Sequence, residues 1–152
     1  MDITFEDVKK GDIAAFSKLY GDICEKIYHV AYYSLATSEE AVAAVKVAAQ
    51  YTYENARSCR NEGELCELML RKLCEQIVIR FRDYRKSPPL KEQNPSYIKS
   101  LMLRLTDAER LSIMVWSVFD YEVGKISSVT GLASDVVAKK LRSGQAKLSA
   151  NL

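Results

Sequence analysis

The sequence predicts an all-α protein made of two small helical domains joined by a proline-rich linker. Three observations support this class. Apolar residues recur every three or four positions along most of the chain, which is the spacing of an amphipathic helix. Asn–Gly hairpin turns are absent and alternating apolar runs are short, so strands are not expected. All three prolines lie in residues 87–95, SPPLKEQNP, where a polar segment interrupts the helical pattern.

The linker places one helical domain at residues 1–86 and another at residues 96–152. A chain of 152 residues is long enough for one ordinary domain or two very small ones. Apolar residues make up 48% and charged residues 28%, a composition typical of folded rather than disordered chains. No run approaches the ~20 apolar residues of a membrane span, and a signal-peptide pattern is absent. We therefore expect a cytoplasmic protein without a membrane span.

Three long helices are predicted in the first half. Asp12 is a natural N-cap for the first helix, and Thr37 opens the second with a capping box that ends at Glu40. The second helix contains an Ala- and Val-rich stretch, residues 41–49, whose small side chains allow another helix to approach closely. The third spans residues 64–84. The apolar faces of the first and third helices comprise Phe16, Leu19, Ile23, Ile27 and Ala31, and Leu65, Leu68, Met69, Leu73, Ile77 and Phe81.

Residues 105–148 are predicted to form a helix-turn-helix unit of three short helices. Thr106 and Glu109 form a capping box before its first helix. Gly131 is placed to end the second helix in a left-handed conformation, and Ser134 is placed to cap the third. Gly144 lies inside the third helix, where glycine costs about 1 kcal/mol relative to alanine. The residues predicted to face the core are Leu111, Met114, Val115, Val118, Ile126, Val129, Val137, Leu141 and Leu148.

The formal charge of +2 is unevenly spread along the chain. Residues 136–152 contain four bases and no acid, and residues 71–86 contain six bases against two acids, whereas residues 1–70 contain seven bases against twelve acids. Two basic patches on a nearly neutral chain fit contact with phosphates. Solvated helix faces are the alternative interpretation of the same charges. A basic last helix in a helix-turn-helix favours DNA, because such a helix commonly enters the major groove.

Several segments together carry a family resemblance. The first half contains VKKGDIAAFSKLY, SEEAVAAV and RNEGELCELMLRKLCEQIVIRFRDYRK, and the second contains LTDAERLSIMVW and GLASDVVAKKL. In order and spacing they resemble the small two-domain bacterial sigma factors of the extracytoplasmic-function group. The resemblance covers nearly the whole chain. It implies a transcription initiation protein that binds promoter DNA, recruits core RNA polymerase and can be held by an anti-sigma factor.

The resemblance also assigns residues to roles. The last helix would read the −35 promoter element, with Ser134, Lys139, Lys140 and Arg142 in or next to the reading surface. The third helix would lie near the −10 element, with Arg71, Arg80, Arg82 and Arg85 as DNA contacts. Tyr53, near the end of the second helix, would be a further contact. In the alternative interpretation Tyr51 and Tyr53 pack in the core. Glu39, Glu40 and Lys46 would lie on the polymerase-binding face.

The chain departs from the family on that polymerase-binding face. Ala43, Lys46 and Val47 stand where the family has hydrogen-bonding acidic and amide side chains. This departure favours a second hypothesis, namely a sigma-like regulator that binds DNA or a protein partner without driving initiation.

An enzyme is the least favoured class. Gly-rich phosphate loops, nucleophile elbows and metal-ligand spacings are absent from the sequence, and His29 is the only histidine. A zinc site formed by Cys66, Cys74 and His29 is conceivable, but small buried hydrophobic residues are the preferred interpretation of these cysteines. We expect neither a cofactor nor a metal.

Overall fold

Helices make up all the regular structure in residues 4–151, which are the residues that the computed structural model describes. Eight α-helices and one 3-10 helix (Ala56–Ser58) follow one another along this part of the chain. Their bounds are α1 (Phe5–Lys9), α2 (Ile13–Ser34), α3 (Ser38–Glu54), α4 (Glu62–Lys86), α5 (Tyr97–Met102), α6 (Asp107–Phe119), α7 (Val123–Thr130) and α8 (Ser134–Asn151). The all-α class is confirmed, and the short helices α1 and α5 are additions to the prediction.

The predicted caps begin the long helices of the first half. The Asp12 carboxylate accepts a hydrogen bond from the Ala15 N–H at 3.0 Å, and the Thr37 hydroxyl accepts one from the Glu40 N–H at 3.2 Å. Only half of the predicted capping box forms at Thr37, because the Glu40 carboxylate accepts from the Thr37 and Tyr84 hydroxyls rather than from the Thr37 N–H. Helix α4 begins earlier than predicted because the Asn61 side chain caps it, accepting from the Glu64 N–H at 2.9 Å.

Small residues let α3 pack closely against its neighbours. Ala41, Ala44 and Ala48 are fully buried, and α3 packs against both α2 and α4. The close approach that the Ala-rich stretch predicts is therefore a contact inside this protein. The outer side of α3 carries Val42 and Val47, which are 41% and 43% exposed.

One buried cluster runs through both halves of the chain. Helix α2 packs against α6 as well as α3, and α4 packs against α7. The buried apolar residues of the second half, such as Leu111, Val115 and Ile126, belong to the same cluster as Ile27 and Leu73 of the first half. The non-helical stretch between α4 and α5 coincides with the predicted linker, and the two halves pack against each other across it.

Lys99 of α5, the helix that follows the linker, is hydrogen-bonded to the end of α2. Its side chain is fully buried, and its ammonium group donates to the Tyr32 carbonyl and, at 2.5 Å, to the Leu35 carbonyl. Burial lowers the pKa of Lys99 to about 8. Within the linker, the Glu92 carboxylate accepts from the Ser38 N–H at 3.1 Å, at the start of α3.

Arg110 of α6 binds the same end of α2. Its guanidinium donates to the Ser34 carbonyl at 3.0 Å and to the Leu105 carbonyl at 2.6 Å. The last carbonyls of a helix have no partner inside the helix, and cations are favoured at this negative end. Lys99 and Arg110, which both follow the linker in sequence, therefore donate hydrogen bonds to the carbonyls at the C-terminal end of α2.

Gly144 marks a close approach between α8 and α6. A Cβ atom added to Gly144 would lie 3.0 Å from Ile113 Cγ1 and 3.1 Å from its Cδ1. The sequence suggested a weak point of the helix here, whereas the structure uses the missing side chain to bring two helices together.

Replacing Gly144 by valine should therefore destabilise the protein by about 2 kcal/mol, because overpacking typically costs 1–3 kcal/mol. The measurement is the free energy of unfolding in urea. Ala146→Val, at an exposed position of the same helix, is the matched control and should change that free energy by less than about 0.5 kcal/mol. A Gly144→Val protein as stable as the control would contradict the packing argument.

Candidate nucleic-acid interface

Helices α6, α7 and α8 lie where the sequence predicts the three helices of the helix-turn-helix unit. The capping box before α6 is complete: the Thr106 hydroxyl accepts from the Glu109 N–H at 3.3 Å, and the Glu109 carboxylate accepts from the Thr106 N–H at 2.8 Å. Gly131 ends α7 with a left-handed φ of 80°, which glycine adopts without strain. The Ser127 hydroxyl donates to the Leu132 carbonyl at 2.6 Å and fixes the turn after it.

Helix α8 has one buried face and one exposed face. Val137, Leu141 and Gly144 are buried, whereas Asp135, Lys139 and Arg142 are exposed. The exposed residues are spaced by four and three positions, so they lie along one side of the helix. Lys139 and Arg142 thus lie where a ligand can reach them.

The remaining residues predicted for the −35 element occupy different environments. Lys140 is half-buried and lies on the flank of α8. Ser134 is exposed, but it is the first residue of α8 rather than its cap. The carbonyl of Ala133 accepts the first helical hydrogen bond, from the Val137 N–H at 2.9 Å, so the predicted capping role of Ser134 is wrong by one position.

A buried carboxylate anchors α8 to α6. Glu109 is 2% exposed; it accepts from the Ser143 hydroxyl at 2.5 Å and from the Lys147 ammonium at 2.7 Å. Burial alone would raise the pKa of Glu109, but the hydrogen bonds from Lys147, Ser143 and the Thr106 N–H outweigh it and hold the pKa at about 2. Lys147, whose side chain is 48% exposed, is therefore engaged in an ion pair with α6.

The arginines predicted for the −10 element divide into two groups. Arg71, Arg82 and Arg85 are exposed on α4. Arg80 is half-buried and lies 3.8 Å from the Glu40 carboxylate.

Tyr53 is held inside the first half. Its hydroxyl donates to the Gly11 carbonyl at 2.7 Å, and its ring meets the Phe16 ring edge-on, with centroids 5.3 Å apart. The structure therefore favours the packing role for Tyr53. Tyr51 is 37% exposed, with the Lys72 ammonium 4.6 Å from its ring centroid.

Arg71 and Arg82 lie beside the helix-turn-helix unit. They line a cleft of about 460 Å³ between α4 and the end of α7, together with Ser128, Thr130 and Gly131. The Arg71 guanidinium donates to the Ser128 hydroxyl at 3.3 Å, and the Lys125 ammonium lies 2.5 Å from the Glu67 carboxylate. These pairs join residues far apart in the sequence, and no local pattern predicts them.

The residues predicted for polymerase binding lie on and beside α3. Glu39 and Lys46 are exposed, whereas Glu40 is half-buried and engaged with Tyr84 and Arg80. Lys46 borders a largely apolar groove between α2 and α3, which Tyr28 and Val42 also line. The structure thus leaves Glu39 and Lys46 accessible and commits Glu40 to an internal network.

A second apolar groove lies between α5, α6 and α8. Trp116, the only tryptophan, is 39% exposed and lines it with Ile98, Met102 and Leu148. Exposed aromatic residues in apolar grooves are frequent anchors for protein partners. The sequence does not predict this groove, because the short helix α5, which supplies one wall, is not evident from it.

Two of the four cysteines lie in the buried core, and Cys24 and Cys66 are half-buried. Cys59 and Cys74 are buried, and burial raises the pKa of the Cys74 thiol to about 12. Among residues 4–151, no three His, Cys, Asp or Glu side chains are placed to hold a metal ion. In the same residues no helix combines the length and apolar character that crossing a membrane requires.

Comparison with known proteins adds no identification: no protein-family model matches the sequence, and no curated protein matches it.

Proposed function

We propose that this protein is a sigma-factor-like DNA-binding protein that directs transcription initiation. The observation that carries the proposal is the exposed basic side of α8, with Lys139 and Arg142 opposite the buried face of Val137 and Leu141. Helix α8 follows α7 in the predicted helix-turn-helix unit, and Gly131 ends α7 before the turn. An α-helix fits the major groove of B-DNA, which is about 12 Å wide.

The chemistry of the exposed side suits a nucleic acid. A guanidinium such as that of Arg142 can donate two parallel hydrogen bonds to a guanine edge, and each such contact contributes about 1–3 kcal/mol of base discrimination. Lys139 supplies a point charge for a backbone phosphate. Asp135 lies on the same side near the start of α8, where a carboxylate can accept from a cytosine amino group.

The first half supplies the remaining parts of the proposed function. Arg82 and Arg85 are exposed on α4 and are available to a promoter strand. Core RNA polymerase is the proposed protein partner, with Glu39 and Lys46 as accessible contacts on α3. The groove beside Trp116 offers a second surface for a protein partner, the polymerase or an anti-sigma factor.

Changing both Lys139 and Arg142 to alanine should weaken binding to a mixed-sequence DNA duplex by about thirtyfold, which is about 2 kcal/mol. Each lost phosphate contact should also reduce the salt slope of log K by about 0.9. The measurement is fluorescence anisotropy at several salt concentrations.

The matched control removes two exposed bases from the first half, Lys18 and Arg57, and should leave affinity within about twofold, since exposed charges far from the duplex are screened. If the control and the α8 variant bind DNA equally well, α8 is not the DNA-binding helix.

The second candidate function is that of a sigma-like regulator that binds DNA without driving initiation. The observation that favours it is the single buried cluster shared by both halves, fastened by Lys99 and Arg110. A molecule held in this arrangement presents one surface rather than two independent ones. Gel filtration with purified core polymerase separates the candidates: DNA binding without co-elution at micromolar concentrations supports the regulator, and co-elution supports the initiation factor.

A further inference from the structure

We infer that α4 and α8 form one continuous DNA-contacting surface, in which Arg71 and Arg82 hold the phosphates that flank the groove entered by α8. The inference rests on the proposed DNA binding and adds a second set of contacts to the same duplex. It departs from the assignment of these arginines to a separate promoter element.

Arg71 and Arg82 lie on the α4 side of the cleft beside α7. Both line the cleft whose other wall is the end of α7 and the turn, including Ser128 and Gly131. Helix α8 begins at Ser134, directly after this turn. Asp135, at the start of the exposed side of α8, is four residues along the chain from Gly131 in the cleft wall.

Helix α4 is fixed beside α7. The Lys125–Glu67 ion pair at 2.5 Å and the Arg71–Ser128 hydrogen bond at 3.3 Å join the two helices directly. Buried apolar residues of α4 and α7, such as Leu73 and Ile126, belong to the same cluster. The backbone that carries the arginines is thus fixed beside α7, which reduces the ordering cost of binding.

Two arginines and one glutamate are the charged residues that line the cleft. Arg71 and Arg82 are exposed, and within residues 4–151 neither guanidinium lies in an ion pair. Glu75 is the one acid lining the cleft, and Lys72 balances it at 3.3 Å. The cleft therefore has an excess of positive charge without an internal partner, which suits the phosphate backbone of DNA.

The test uses the full chain and a duplex of about 16 base pairs, roughly one and a half helical turns. Changing Arg71 and Arg82 to alanine should weaken binding about tenfold and lower the salt slope by about 1.8, since two phosphate contacts are lost. The Lys18→Ala, Arg57→Ala protein should bind within about twofold of the unchanged protein.

Ser128→Ala separates the charge of Arg71 from its packing role. This change removes the hydrogen bond between α4 and α7 but keeps the guanidinium, so its loss of DNA affinity should be much smaller than that of the arginine variant. A loss for Ser128→Ala as large as that for the arginine variant would overturn the inference, since Arg71 would then act only by holding the helices together.

The remaining outcomes distinguish the inference from the proposed function. If the arginine variant binds the short duplex normally while the Lys139→Ala, Arg142→Ala variant does not, the continuous surface is wrong and DNA binding by α8 stands. If the unchanged protein does not bind DNA at any salt concentration, the proposed function and the inference both fail.

Discussion

Replacing Arg110 by leucine is expected to lower the free energy of unfolding by about 3 to 4 kcal/mol. Arg110 is 6% exposed. Its guanidinium donates hydrogen bonds to the carbonyls of Ser34 and Leu105 and, at 2.6 Å, to the Asp107 carboxylate. Its removal leaves buried carbonyls without donors, at about 1–3 kcal/mol for each unsatisfied group. The lost ion pair adds less, about 1 kcal/mol or below, because the Asp107 side chain is 32% exposed.

Urea unfolding followed by circular dichroism measures this loss. Arg104→Leu is the matched control, because Arg104 is exposed and donates to the Asn151 side chain at 3.3 Å; it should change stability by less than about 0.5 kcal/mol. Arg110→Lys keeps the charge but not the forked donor geometry, so it should retain part of the stability. Equal midpoints for Arg110→Leu and Arg104→Leu would mean that the contact with α2 does not stabilise the fold.

The Arg110 contact also identifies what the sequence could not predict. A basic residue in a capping-box helix is expected at the surface, and nothing near Arg110 in the sequence indicates its partner at Ser34. Lys99 is a similar case, because a lysine is almost never fully buried unless its charge is satisfied. These hydrogen bonds and the shared apolar cluster join residues far apart in the sequence, so local patterns predict the helices but not the contacts between the halves.

Local chemistry did predict several helix boundaries. Asp12, Thr37 and Thr106 cap helices where the sequence places them, because an N-cap acts within three residues of itself. Gly131 ends α7 for the same local reason. The short helix α5 was missed, because only six residues carry too little periodicity to be recognised.

The sequence predicts which residues of α8 are exposed but not which of its bases are paired with other helices. Val137 and Leu141 fix which side of α8 is buried, and this spacing leaves Lys139 and Arg142 exposed. The environment of Lys147 depends instead on Glu109, which lies in another helix. Because such pairing needs the tertiary structure, charge counts overestimate the number of bases in the last helix that are free to bind a ligand.

The pairing of Glu109 leads to the second large expected effect, a loss of about 3 kcal/mol in Glu109→Gln at neutral pH. The pKa of Glu109 is held at about 2, against an ordinary value of 4.5, and each unit of pKa corresponds to about 1.4 kcal/mol. A carboxyl with a lowered pKa stabilises the folded state fully above its ordinary pKa. That stabilisation decreases as the pH falls from about 4.5 toward 2.

The stability difference between the unchanged protein and Glu109→Gln should therefore be largest near pH 7 and should shrink toward pH 2. Glu25→Gln, at an exposed position of α2, is the matched control and should show a small difference at every pH. Because Glu109 joins α6 to α8 through Ser143 and Lys147, the same change should also loosen the helix that carries Lys139 and Arg142. A difference that stays constant from pH 7 to pH 2 would mean that the ionised carboxylate is not what holds α8 in place, and the position of the basic surface would then depend on the apolar contacts of α8 alone.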